Sequence, residues 1–166
     1  MYILANDVMY DWTIGLLESL REHDPELPVM VIPFDNRTTR LSRDCSRYGC
    51  GIVQDASLEA LDRIGRTLAD GNPEAVWIPM FRKLYSFWGP FDHALYLDAD
   101  TVALESVLDV LRAFEKSRWD FCFFDGTDEY VYRSEAFVQQ MKERHGAKLF
   151  NAGAGAPEKA PCRCNR

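Results

Sequence analysis

Apolar and polar positions along the chain fall into blocks whose period changes, and the changes mark the elements. Tyr2-Ile3-Leu4-Ala5 is a short apolar run closed by Asn6-Asp7, the pattern of a buried strand running into a polar turn. Trp12, Leu16, Leu17 and Leu20 then recur at helical spacing and predict an amphipathic helix. Residues 28–34 predict a second strand, closed by Asp35-Asn36, and residues 50–53 a weaker third. Leu58, Leu61, Ile64 and Leu68 predict the next helix. Asp70-Gly71-Asn72-Pro73 ends it, because proline has no N–H to give and the residues before it favour a turn.

Phe81, Leu84, Tyr85 and Trp88 stand at i, i+3, i+4 and i+7, which predicts one buried helical stripe with Arg82 and Lys83 left off it. Gly89-Pro90 stops that helix. Residues 94–97 read as a buried strand running into Asp98, and Val107, Leu108, Leu111 and Phe114 as a helix. Residues 121–124 are one more strand, ending at Asp125-Gly126, and Phe137, Val138 and Met141 predict a last helix. Strands alternating with helices imply an α/β fold whose mostly parallel central sheet is covered by helices on both faces.

Composition narrows the class. A chain of 166 residues has room for one domain, and 47% hydrophobic residues supply a core that disordered and fibrous chains lack. The net charge of −7 makes neither a nucleic-acid backbone nor an anionic lipid surface a partner for the whole molecule, so any phosphate site is local. No apolar run approaches the ~20 residues of a membrane span. The N-terminus shows no basic leader and no small-residue cleavage site, which together predict a cytoplasmic protein. Of five cysteines only Cys162 and Cys164 are closely spaced, a pattern of reduced thiols rather than a disulfide framework; Cys45, Cys50 and Cys122 read as small buried or half-buried residues. Residues 154–166 are small, polar and without periodicity, an irregular tail after a domain over 1–153. The strand beginning at Lys148-Leu149-Phe150 has no helix after it, which predicts a domain cut short on its C-terminal side.

The sharpest chemical feature is Asp98-Ala99-Asp100 at the carboxyl end of the most buried predicted strand, the edge where open parallel sheets bind ligands. Two carboxylates two residues apart repel each other unless a hard divalent cation lies between them, and such a cation can bridge diphosphate oxygens. The plain alternative is a solvated pair in a turn. Arg82 and Lys83, on the helix before that strand, can neutralise a diphosphate; alternatively their long stems cover helix surface. Arg37, Arg40, Arg43 and Arg47 recur at three- and four-residue steps as a basic helical stripe, read first as a solvated face because no glycine-rich cradle accompanies it. His23, His93 and His145 show no metal-ligand spacing. No dinucleotide fingerprint, phosphate-loop signature or nucleophile elbow occurs.

Together these residues resemble a known family. Ile3-Leu4-Ala5-Asn6-Asp7, Phe81-Arg82-Lys83-Leu84-Tyr85, the run from Ala94 through Asp98-Ala99-Asp100 to Val102, and Phe150-Asn151-Ala152-Gly153 are similar, in order, to the landmarks of nucleotide-sugar glycosyltransferases with the Rossmann-like GT-A fold. The resemblance is to the retaining family 8 enzymes, the group of glycogenin and bacterial galactosyltransferases. It implies a metal-dependent hexosyltransferase that moves a hexose from a nucleoside diphosphate sugar, a UDP-sugar, to an acceptor hydroxyl. It further implies that Leu4, Ala5, Asn6 and Asp7 hold the uracil and ribose, and that Lys83 with Arg82 beside it contacts the sugar or diphosphate. Asp98 and Asp100 would bind Mn2+ or Mg2+, with Asp100 the more direct ligand, Asp98 also near the ribose and Ala99 between them at the nucleotide, and Asp125 and Asn151 would contact the transferred sugar. In the family a later histidine completes the metal site, and the chain stops before that position.

Two other readings fit some of the same residues. Asp98-Ala99-Asp100-Thr101-Val102 also matches the phosphatase pattern of the haloacid dehalogenase superfamily, with Asp98 as nucleophile and Asp100 as acid/base, although those enzymes carry the motif on their first strand. The other is a nucleotide-binding remnant without catalysis.

Overall fold

Tyr2–Ala5 forms strand β1 inside a six-stranded sheet. This computed structural model describes residues 1–70, 72, 75–117, 121–123, 136, 139–140, 143–144 and 154–157. β1 pairs in parallel with β2 (Val29–Pro33), and β2 in parallel with β3 (Cys50–Ile52). On its other side β1 pairs in parallel with β4 (Tyr96–Asp98). β5 (Phe121–Phe123) closes the far edge through β6 (Ala154–Pro157), which is antiparallel to both β4 and β5. The order is β3-β2-β1-β4-β6-β5, so the sheet is mostly parallel, as the alternation of strands and helices predicts.

β6 corrects one expectation. The stretch read as the start of an irregular tail is a strand at its first four residues, Ala154–Pro157. Alanine, glycine and proline carry neither alternation nor β-branched side chains, so nothing local marks a strand; pairing with two neighbours makes it one. The expected strand at Lys148-Leu149-Phe150 and the helix at Phe137, Val138 and Met141 lie outside the described residues.

Both faces of the sheet are covered. α1 (Tyr10–His23), α2 (Thr39–Asp44) and α4 (Leu108–Lys116) belong with one core, in which Leu16, Leu17, Leu20, Leu41 and Phe114 meet Ile3 and Ala5. α3 (Ser57–Leu68) and a 3₁₀ helix, Ile78–Phe87, belong with the other, where Leu58, Leu61 and Tyr85 meet Tyr2 and Leu4. Successive residues of β1 thus enter opposite cores, which is why the strand reads as an unbroken apolar run.

The stripe expected over residues 81–88 holds only in part, with Phe81 and Tyr85 packed into the core. Tyr85 is buried as expected, but Leu84 is 37% and Trp88 60% exposed, while Arg82 and Lys83 have side chains only 13% and 18% exposed. A 3₁₀ helix turns every three residues rather than every 3.6, so 82 and 85, and 83 and 86, share the inner face. Trp12, Ile64 and Leu68, placed on buried stripes by spacing, are likewise exposed. Gly89 after this helix has a packing reason, since a Cβ there would lie 1.7 Å from the Tyr2 hydroxyl oxygen.

The segment that follows β4 is tied to α1. Ser19 Oγ accepts from Ala103 N at 3.0 Å, and buried Asp24 accepts from Ser106 Oγ at 2.5 Å and Val107 N at 2.7 Å. Asp24 thereby caps the start of α4 from across the chain, where a carboxylate complements the unpaired N–H groups. Asp24→Ala is expected to cost about 3 kcal/mol of stability or more, the loss of two hydrogen bonds to a charged acceptor at about 1.5–3 kcal/mol each, readable as a lowered urea midpoint with unchanged slope.

Candidate active site

The carboxyl ends of β1 and β4 lie side by side, with Leu4 in register with Asp98. From β1 the chain builds outward first through β2 and β3 and then, on the other side, through β4; such a reversal opens a crevice at the strand ends. A cleft of about 410 Å³ lies there, within the size range of small-ligand sites. Leu4 lines it from β1 and Asn6 from the turn after it, Lys83 from the 3₁₀ helix, and Asp98, Ala99 and Asp100 from β4 and its turn.

The side chain of Ala99 is buried in the α1 core, and the two carboxylates flank it on the cleft. Asp98 Oδ1 accepts from Tyr96 Oη at 2.6 Å and from Lys83 Nζ at 2.8 Å. Burial, then the charge and hydrogen bond of Asp98, raise the Tyr96 phenol well above its usual range, so it stays protonated and donates. Thr101 Oγ1 donates to Asp98 O at 2.7 Å and fixes the turn. Asp100 is exposed and has no hydrogen-bond or ion-pair partner among the described residues.

Two carboxylates, one braced and one free, are hard-oxygen donors of the type that Mn2+ and Mg2+ take. Among the described residues no third histidine, cysteine or carboxylate joins them. That donor set suits an ion that keeps waters or phosphate oxygens as its remaining ligands. His93 pairs with Glu115 at 3.6 Å and precedes Asp98 by five residues, roughly 16 Å along an extended chain.

Other expected site residues are placed elsewhere. Asp7 caps α2, accepting from Arg40 N and Leu41 N at 3.0 Å each. Arg82 makes a two-point pair with Asp62 at 2.8 and 2.7 Å and donates to Pro33 O at 2.7 Å. Ala5 is buried, its carbonyl accepting from Phe34 N at 2.8 Å. None of these three lines the cleft. Asp125 and Asn151 lie outside the described residues.

Five lining residues were not expected there: Val8, Met9, Phe34, Met80 and Arg37. All four arginines of the basic stripe are exposed, as the solvated-face reading expects. Arg37 precedes α2 and pairs with Asp35, Arg40 lies over the Tyr10 ring, and Arg43 pairs with Asp44. Asp35-Asn36-Arg37 carried the missed signal, an acid two residues before a base in the turn after a strand. Asn6 Nδ2 donates to Asp35 Oδ2 at 2.9 Å, and Asn6 Oδ1 accepts from Val8 N at 3.0 Å.

Burial alone would raise the Asp35 carboxyl, but hydrogen bonds from Arg37 and Asn6 outweigh it and hold the group below its usual range. A carboxyl lowered on folding contributes stability that is complete above its ordinary value of about 3.9 and is lost as pH falls through the lower folded value. The Asn6–Asp35–Arg37 rim is therefore expected to loosen below about pH 4, checked by following the Asn6 side-chain amide resonance against pH in wild type and Asp35→Asn.

No family model and no curated protein matches the chain by sequence. Solved structures do match by fold. Mouse xyloside xylosyltransferase 1, in its apo form, superposes with a TM-score of 0.62 at 10% identity, over 95% of this chain and 66% of its own. The galactosyltransferase LgtC in complex with donor and acceptor sugar analogues gives 0.61 at 18% identity, over 95% and 58%. An active-site mutant of LgtC gives 0.62 at 21%, over 95% and 57%. The chain thus spans between 57% and 66% of the lengths of these proteins. None of the described helices is long and apolar enough to cross a membrane. The strand order, the switch-point cleft and these superpositions give the chain the GT-A fold of nucleotide-sugar glycosyltransferases, the fold of the family 8 enzymes whose sequence landmarks it resembles.

Proposed function

We infer that the chain binds a nucleoside diphosphate sugar, a UDP-sugar, in the switch-point cleft and transfers its hexose to an acceptor hydroxyl. The observation that carries this reading is the convergence of Asp98, Asp100 and Lys83 on one cleft beside Asn6. Leu4 and Asn6 hold the nucleoside at the end of β1. Ala5 and Asp7 act from behind, Ala5 by holding Phe34 in place and Asp7 by capping α2. Arg82 positions the 3₁₀ helix through Asp62, so that Lys83 faces the cleft.

Asp98 and Asp100 are the residues that would hold Mn2+ or Mg2+, which when bound supplies positive charge to diphosphate oxygens. In the transfer the bond from the sugar's anomeric carbon to the diphosphate oxygen breaks with its electron pair leaving on the diphosphate, a bond to the acceptor oxygen forms, and the acceptor hydroxyl's proton passes to the departing diphosphate. Lys83 Nζ, 2.8 Å from Asp98 Oδ1, donates to the oxygen on which negative charge grows, a contact stronger in the transition state than before it. Asp125 and Asn151 are assigned to the transferred sugar, and the family resemblance implies that the anomeric configuration is retained. The fold comparisons do not favour the phosphatase reading, whose motif belongs on a first strand; here it ends β4.

The test is incubation with UDP-glucose and UDP-galactose in Mn2+. Even without an acceptor, water serves as a poor one, so slow appearance of UDP and free hexose in equal amounts is expected. Hydrolysis of p-nitrophenyl phosphate with no release of UDP would reverse the assignment in favour of the phosphatase.

A further inference from the structure

Two thiols meet at the outer edge of the sheet. A 3₁₀ helix, Cys45–Tyr48, follows α2, and the edge strand β3 begins at Cys50. Between them Gly49 takes the left-handed conformation, φ 59° and ψ 28°, and its N–H donates to the Cys45 and Ser46 carbonyls. The chain turns back on itself there, so that Cys50 Sγ lies 3.2 Å from Cys45 O and its thiol adjoins the Cys45 thiol. Neither is in a disulfide.

Access and charge distinguish the two. Cys45 is 3% exposed within the α1 core, whereas Cys50 is half-buried. Arg21 stands beside Cys50: its Nε donates to Tyr48 O at 2.6 Å, its Nη1 to Asp24 O and Leu27 O at 3.1 and 2.9 Å, and its Nη2 lies 3.8 Å from where a Cβ on Gly49 would be. Those acceptors are neutral carbonyls, and no carboxylate pairs with Arg21 among the described residues. Its charge is left to act on the thiol. Contact with Cys45 and then the Arg21 charge outweigh burial and hold the Cys50 thiol below its usual range, while contact with Cys50 and burial raise Cys45. An accessible thiol beside a pinned cation, with a second thiol behind it, suits an attacking and a resolving cysteine. Among the described residues no third histidine, cysteine or carboxylate joins them, too few donors for a structural zinc site.

We propose that Cys50 and Cys45 form a reversible disulfide by exchange with a small-molecule disulfide of the glutathione disulfide type, Cys50 attacking and Cys45 resolving. Cys50 gives up its proton and its sulfur bonds to one sulfur of the small disulfide, whose S–S bond breaks as the other sulfur takes the electron pair and a proton and leaves as a thiol. The Cys45 sulfur then bonds to the Cys50 sulfur, and the second small thiol leaves with the electron pair of the mixed disulfide and the Cys45 proton. Two protein thiols are oxidised, and one disulfide is reduced to two thiols. The new bond ties the first residue of β3 to the 3₁₀ helix before it. It stands independently of the donor reading of the cleft.

The experiment incubates the folded chain with glutathione disulfide, alkylates the remaining thiols, and maps tryptic peptides by mass. Arg47 lies between the two cysteines, so their bond joins the 44–47 and 48–63 peptides, and reduction separates them. That joined pair is expected as the main oxidised product of these two residues, and excess reduced glutathione is expected to remove it. In Cys45→Ser, glutathione is expected to stay on Cys50. In Cys50→Ser, Cys45 is expected to react about ten-fold or more slowly than Cys50 does in the first variant, because it is buried and its thiol raised. Cys45 and Cys50 still reduced in glutathione disulfide alone, or glutathione left on Cys50 of the unaltered chain, would overturn the proposal. So would pairing of either residue with Cys122, Cys162 or Cys164 in preference, or equal rates at Cys45 and Cys50 in variants whose circular dichroism matches the unaltered chain.

Discussion

Lys83→Ala is expected to slow UDP release from a UDP-sugar by about 10²-fold or more, the loss associated with one preorganised contact to developing charge. The side chain is 18% exposed and lies 2.8 Å from Asp98, so its ammonium is desolvated enough to act strongly and close enough to reach a group held by the same carboxylate. The loss belongs in turnover more than in affinity for UDP, because the contact tightens as the diphosphate departs. Lys83→Arg keeps the charge and changes the shape, and recovers part of the rate if charge is what matters. Circular dichroism of each variant separates catalysis from folding. Normal turnover in Lys83→Ala would return Lys83 to a purely structural ion pair with Asp98.

The second large effect separates the two carboxylates. Asp100 has no hydrogen-bond or ion-pair partner among the described residues, so Asp100→Ala is expected to leave thermal stability unchanged while lowering Mn2+ affinity by about 10²-fold, at least the loss seen on removing supporting groups around metal ligands. Asp98 is the opposite case. Asp98→Ala leaves the Tyr96 hydroxyl without its acceptor and removes the ion pair to Lys83, and an unsatisfied buried polar group costs about 1–3 kcal/mol. That variant is expected to lose both metal affinity and stability. Equal stability losses in the two variants, read by thermal melts, would contradict the division between a braced and a free carboxylate.

Much of the frame was legible in the sequence because burial is regular where the frame is simple. β1 and β2 are covered on both faces, so their apolar runs are unbroken, and the Leu16, Leu17 and Leu20 spacing of α1 reports a stripe that is indeed fully buried. The 3₁₀ helix was partly misread, because spacing was taken at 3.6 residues per turn; at three, the inner face passes to Arg82, Lys83, Tyr85 and Ser86. For the same reason the sequence cannot tell which of two adjacent basic residues faces the cleft. β6 escaped notice because Ala154, Gly155 and Ala156 have nothing to alternate, and only the strands on either side make them a strand. Phe34 and Met80 reach the cleft from separate elements, a juxtaposition that topology creates and local pattern does not record. Asp98 and Asp100, which do line the cleft, stood out as candidates because their signal is local, two acids at the end of an apolar strand.

Calorimetric titration of the chain with UDP, in Mn2+ and again in excess EDTA, tests the donor site most directly. Saturable binding at one site in Mn2+, lost in EDTA and lost in Asp100→Ala, is the expected result. UDP binding that is indifferent to both EDTA and Asp100→Ala, or no UDP binding by the folded chain, would contradict a metal-dependent nucleotide-sugar site at Asp98 and Asp100.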